Sequence, residues 1–193
     1  MALTKITGSG LGTLTSDVDA QGSSGATLKL TSTDTTGADT ELLGQIDFVS
    51  SDSSTGSAGT QARIKGVYED NGDSTGIAFL TGNSTGSGTP TITEKMRIRH
   101  EGDVLVGTTN TTPGVGNTTA GFALNSANLL CVSRSGDTPV SINRSSNDGN
   151  IVDFRKDGTT IGVIGTEGDD ITIGKGDTAI QFKAGNNAIR PWN

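Results

Sequence analysis

The chain has 193 residues, 14 Lys and Arg against 21 Asp and Glu for a formal net charge of −7, and 78 of its residues are Thr (30), Gly (29) or Ser (19). Leu, Ile, Val and Phe total only 41, about 21% and close to the level at which chains stop folding, so any core is thin. A helical bundle is excluded because Thr and Gly, poor in helix interiors, dominate over Leu, Ala, Glu and Lys. A pI near 4.6 lacks the basic footprint of nucleic-acid binding. No apolar run is long enough to insert in a membrane, and the first residues form no signal peptide. With only 18% of residues charged and the apolar ones regularly spaced, the chain is not of the charged disordered kind either.

Residues 1–25 carry Leu3, Ile6, Leu11 and Leu14 singly among Gly, Ser, Thr and Asp, too sparse to close a core. They read as an arm that orders on another protein. From residue 26 the apolar period becomes two: Leu28 and Leu30 around Lys29, Ile46 and Phe48 around Asp47, then Ile64 and Val67. Such alternation predicts strands with one buried and one wet face. Glu69-Asp70-Asn71-Gly72-Asp73 is the strongest turn signal, since Asn and Gly both tolerate positive φ. Met96-Arg97-Ile98-Arg99-His100, the turn Glu101-Gly102-Asp103 and Val104-Leu105-Val106 form a second hairpin. In it Met96, Ile98, Val104 and Val106 take the inner face, with Arg97 and Arg99 facing water.

Residues 109–121, with Pro113 and several glycines, have linker composition. Four regions follow: the arm (1–25), a β-rich shaft (26–108), the linker (109–121) and a distal meander (122–193). The meander repeats short strands, among them Val140–Arg144, Ile151–Arg155, Ile161–Ile164, Ile171–Ile173 and Ala179–Lys183, between Gly/Asp turns. Cys131 lies in an apolar stretch and reads as a small buried strand residue. The fold class is therefore all-β, with short antiparallel strands and hairpins.

Energetics favour association. Ordering a residue costs about 1–2 kcal/mol, while each medium apolar side chain returns about 1.5–3 kcal/mol when buried. A lone meander of this composition is marginal. Burial of its apolar stripe against identical stripes of other copies resolves the deficit, and the scarcity of aromatic residues lets chains approach closely.

Glu94-Lys95-Met96-Arg97-Ile98-Arg99-His100-Glu101-Gly102-Asp103-Val104-Leu105-Val106-Gly107-Thr108-Thr109 resembles the hairpin common in tail-fibre and tail-spike-like proteins of tailed bacteriophages, marine and cyanobacterial ones in particular. Gly44–Phe48, Ala62–Gly66 and Gly76–Thr81 resemble the strands that precede it there, and residues 120–193 match more loosely. The resemblance implies an elongated, intertwined homotrimeric fibre segment of the virion that joins the phage tail and serves host-cell adsorption. Other virion proteins would bind the arm through Leu3, Ile6, Leu11 and Leu14. A host surface glycan or receptor would be the distal partner. The trimer-core candidates are Met96, Ile98, Val104, Val106, Phe154, Ile161, Ile171, Ile173 and Trp192. Many relatives continue into a C-terminal chaperone of the endosialidase type, to which nothing here corresponds.

A capsid-decorating or head-fibre β-sandwich protein is the first alternative and a glycan-degrading tail spike the second. Glycoside hydrolysis needs two facing carboxylates, yet the close sets Asp70/Asp73, Glu101/Asp103 and Asp169/Asp170 fall in turns and read as solvated. His100 is the sole histidine, sits beside a turn and reads as a surface residue, without a nucleophile elbow to serve. No phosphate loop, calcium repeat or zinc motif is present. The expectation is a non-enzyme without cofactor or metal.

Overall fold

The computed structural model describes residues 25–52, 58–83 and 89–192. The arm candidates Leu3, Ile6, Leu11 and Leu14 lie outside the described residues. The protein is all-β, and the chain divides into two units, Met1–Ser133 and Arg134–Asn193.

The first unit is a seven-stranded antiparallel sheet in simple sequence order: β1 (Leu42–Ser50), β2 (Gly59–Glu69), β3 (Ser74–Asn83), β4 (Thr91–Ile98), β5 (Val104–Val106), β6 (Gly121–Leu124) and β7 (Leu130–Ser133). Thr and Ile make up half of β4 and Val two of the three residues of β5, and such β-branched side chains suit a pleated surface. The β2–β3 turn forms where the sequence places it: Asp70, Asn71 and Gly72 have φ of 50°, 58° and 93°. A side chain at position 72 would collide with the backbone of Gly37, so glycine is required there twice over.

The second unit is a five-stranded antiparallel meander, with β8 (Gly149–Lys156), β9 (Thr159–Glu167), β10 (Asp170–Lys175), β11 (Thr178–Lys183) and β12 (Ala188–Trp192). Asp157-Gly158 and Gly168-Asp169 join its strands as two-residue turns with positive φ at both positions.

Three expectations are corrected. Residues 26–30 form no strand, and Leu28 and Leu30 are 69% and 51% exposed, because among the described residues no strand pairs with this stretch. Val140–Arg144 is likewise irregular and exposed. Residues 109–121 do not separate two domains: they loop between β5 and β6, adjacent strands of one sheet, and the sheet continues to Ser133. Gly and Pro mark a loop within a sheet as readily as a linker, and composition does not tell them apart. Here the loop folds back on its own unit, with Pro113 fully buried and Gly114 against the Ser133 side chain.

One face of the first sheet holds the core. Ala78, Leu105, Ala123 and Cys131 lie on it at 0–4% exposure, the last three forming one cluster. Cys131 is thus the small buried strand residue its surroundings suggest.

Candidate functional site

The register of the first sheet places a continuous apolar row across all of its strands. Ile46 stands opposite Ile64, Ile64 opposite Phe79, Phe79 opposite Met96, Met96 opposite Val106, Val106 opposite Phe122 and Phe122 opposite Val132. A second row beside it runs through Ile77, Ile98, Val104, Leu124 and Leu130. These side chains stand on the face opposite the core, because neighbours along a strand point to alternate sides. Many of them are exposed (Ile46 44%, Ile77 46%, Phe122 39% and Leu130 58%), while Phe79, Met96, Val104 and Val132 are half-buried. Cross-strand pairs of this kind stabilise the sheet, yet they leave a broad apolar surface that a single soluble copy rarely carries.

Met96, Ile98, Val104 and Val106 share these rows, as alternation predicts, but on the single chain they stand on the face opposite the core and not on an inner one. The second sheet repeats the arrangement on a smaller scale. Ile171 pairs with Phe182 and Phe182 with Ile189, while Ile173 pairs with Ile164 and Ile180. Phe154 pairs with Gly162 at the edge of this face. Ile161 sits at the irregularity between the Phe154 and Arg155 pairings and has no cross-strand partner in the ladder. Trp192 pairs with Ala179 and, by strand parity, stands on the face opposite Ile171 and Ile173. Arg190, two residues away on that face, lies over its ring at 5.9 Å from the centroid.

A polar cluster occupies one end of the first sheet. Glu69 at the end of β2 is 4% exposed and accepts from Arg97 Nη1 at 2.9 Å and from the backbone N–H of His100 at 3.1 Å. Arg97 also pairs with Glu94 at 2.8 Å, and Arg99 reaches Glu101 and Asp103, both at 3.2 Å. Arg97 and Arg99 are therefore not water-facing residues: their side chains are only 18% and 24% exposed, and the carboxylates around them hold them in place. Burial by itself would raise the Glu69 pKa, but the Arg97 hydrogen bond, the two His100 contacts and the Arg99 charge together bring it below the usual carboxylate value. The Glu94 and Glu69 carboxylates raise Arg97 against the opposing effect of burial.

Two of the turn carboxylates expected in solvent are buried. Asp103, 3% exposed, accepts the Ser126 N–H at 2.7 Å and Arg99. Asp170, 5% exposed, accepts Lys183 Nζ at 2.6 Å and the Ala184 N–H at 2.9 Å, and these bonds lower its pKa. Glu69, Asp103 and Asp170 share one device: each buried carboxylate joins a strand end to a backbone N–H farther along the chain and is neutralised by a nearby cation. Both Asp170 oxygens are thus engaged, which makes it a poor partner for Asp169 in hydrolysis. Sequence reasoning missed this device because the strand-end acid looks like an ordinary turn residue until its partner strand is known.

The cavities are shallow. A depression of about 310 Å³ is lined by Glu94, Met96, Arg97 and Thr108, and one of about 200 Å³ by Asn150, Glu167, Thr172 and Trp192. No helix among the described residues is long and apolar enough to cross a membrane. No protein-family model matches the chain, and neither a curated protein nor a solved structure matches it significantly.

Proposed function

We propose that the protein is a non-enzymatic structural component of a tailed-phage virion, a tail-fibre-like homotrimer that joins the tail and takes part in host-cell adsorption. The observation that carries the proposal is the apolar row running through all seven strands of the first sheet and left partly open on a single chain. In a fibre this surface would be shared among three copies, and each Ile, Phe and Met in it would gain the burial that one thin sheet does not provide. The Glu94–Thr109 hairpin, with its likeness to phage fibre proteins, supports the same reading from the sequence side. The arm at residues 1–25 would attach to other virion proteins, and a host glycan or receptor would meet the distal part.

Light scattering coupled to size exclusion tests the association. The expected mass is three times the 19.6 kDa of the chain. Met96→Asp should abolish it while leaving β-sheet circular dichroism in place, since three charges would meet in apolar surroundings. A stable monomer at micromolar concentration overturns the trimer. Immunogold labelling of particles with an antibody to the chain tests the virion assignment, and label absent from tails overturns it.

A further inference from the structure

Three carboxylate oxygens converge on one imidazole nitrogen: His100 Nδ1 lies 3.1 Å from Glu69 Oε2, 3.1 Å from Glu101 Oε2 and 3.3 Å from Asp70 Oδ2. A ring nitrogen carries at most one proton, so at least two of these oxygens face it with no hydrogen between. The imidazole sets this cluster apart from a patch of surface acids, because it supplies a borderline-soft donor beside hard ones. The ligand atoms of Glu69, His100 and Glu101 all lie within 4.8 Å of one another. A divalent ion with bonds of about 2.1 Å holds adjacent donors about 3.0–3.4 Å apart, which matches the nitrogen–oxygen separations here.

We propose that Glu69, His100 and Glu101 form a binding site for a divalent d-block cation of the zinc type, independent of the oligomeric state. The ion is bound through the Nδ1 lone pair, with the ring proton on Nε2. Glu69 is the fixed ligand: Arg97 holds its other oxygen, Oε1, and the His100 N–H donates to the ligating Oε2 itself. His100 and Glu101 are exposed and give the ion its entry path. Five carboxylates (Glu69, Asp70, Glu94, Glu101, Asp103) and two guanidiniums (Arg97, Arg99) meet around His100, an excess of three negative charges of which a dication offsets two. Arg99 shares Glu101 and would release it on binding.

Isothermal titration of the tag-free full chain with zinc chloride tests the site. One zinc per chain in the micromolar range is expected, with a rise in melting temperature. His100→Ala should remove that binding, and Glu101→Gln, an exposed position that leaves Glu69 and its partners in place, should weaken it at least about tenfold. Calcium at the same concentration should not compete, because an oxygen-seeking ion gains little from the imidazole. Absence of zinc binding, zinc binding unchanged in His100→Ala, or equal competition by calcium would each overturn the proposal.

Discussion

The two sheets follow one pattern of alternation yet differ in what they bury. In the first unit Val67, Ala78, Leu80, Leu105, Ala123 and Cys131 are buried apolar residues, whereas the buried side chains described in the second are the polar Asp170, Thr172 and Gln181. The first sheet has a loop, residues 107–120, folded back with its Pro113 inside. The second has turns too short to cover anything, so its interior consists of hydrogen bonds: Gln181, 1% exposed, donates to the Glu167 carbonyl and accepts from Arg190 at 2.8 Å. A meander can thus be ordered by either means, and the two means should respond differently to perturbation.

The largest expected effect is on the apolar interior. Leu105→Ala should cost the first unit about 2–5 kcal/mol in urea unfolding, because a fully buried Leu leaves a cavity its neighbours refill only in part. A loss below 1 kcal/mol would show that the Leu105, Ala123 and Cys131 cluster is not a true core. In the second unit Gln181→Ala should cost about 1–3 kcal/mol, the price of leaving its hydrogen-bond partners unmet. If it costs as much as Leu105→Ala, the contrast between the units fails.

The polar cluster of the first unit gives a smaller effect. Arg99→Asp brings a further acid among Glu69, Glu101 and Asp103 and should destabilise by about 1–2 kcal/mol, measured as a lowered urea midpoint. A variant as stable as the parent would restore the reading of Arg99 as a solvated surface residue.

Acid should act gently on both units. Glu69 and Asp170 have folded pKa values below their ordinary 4.5 and 3.8, so their contribution is full above those values. It is lost as pH falls through the lowered folded values, since the unfolded chain then binds more protons than the folded one. Melting temperature should therefore hold steady from neutral pH to about 5 and decline below about 4.5. Glu69→Gln should flatten that decline in the first unit, and Asp170→Asn should do so in the second. An unchanged acid profile in both variants would mean that other carboxylates set it.

Much of this molecule is local and was legible in the residues alone. The alternation of Ile46, Phe48 and Ile64, the Asn71-Gly72 and Asp157-Gly158 turns, and the shared face of Met96, Ile98, Val104 and Val106 all follow from the two-residue period of a strand and from which residues accept positive φ. Alternation alone did not make strands of Leu28–Leu30 or Val140–Arg144, because a strand also needs a neighbour to pair with. Only the tertiary structure decided that residues 109–121 return the chain to the same sheet and that the row from Ile46 to Val132 is unbroken. It also decided that Glu69, Asp103 and Asp170 are buried, and that Arg97, 28 residues from Glu69, is its partner. The burial of charge depends on which groups of other strands and loops reach the acid, as Arg97 from β4 reaches Glu69 at the end of β2, and the residues around Glu69 in the sequence do not encode that meeting.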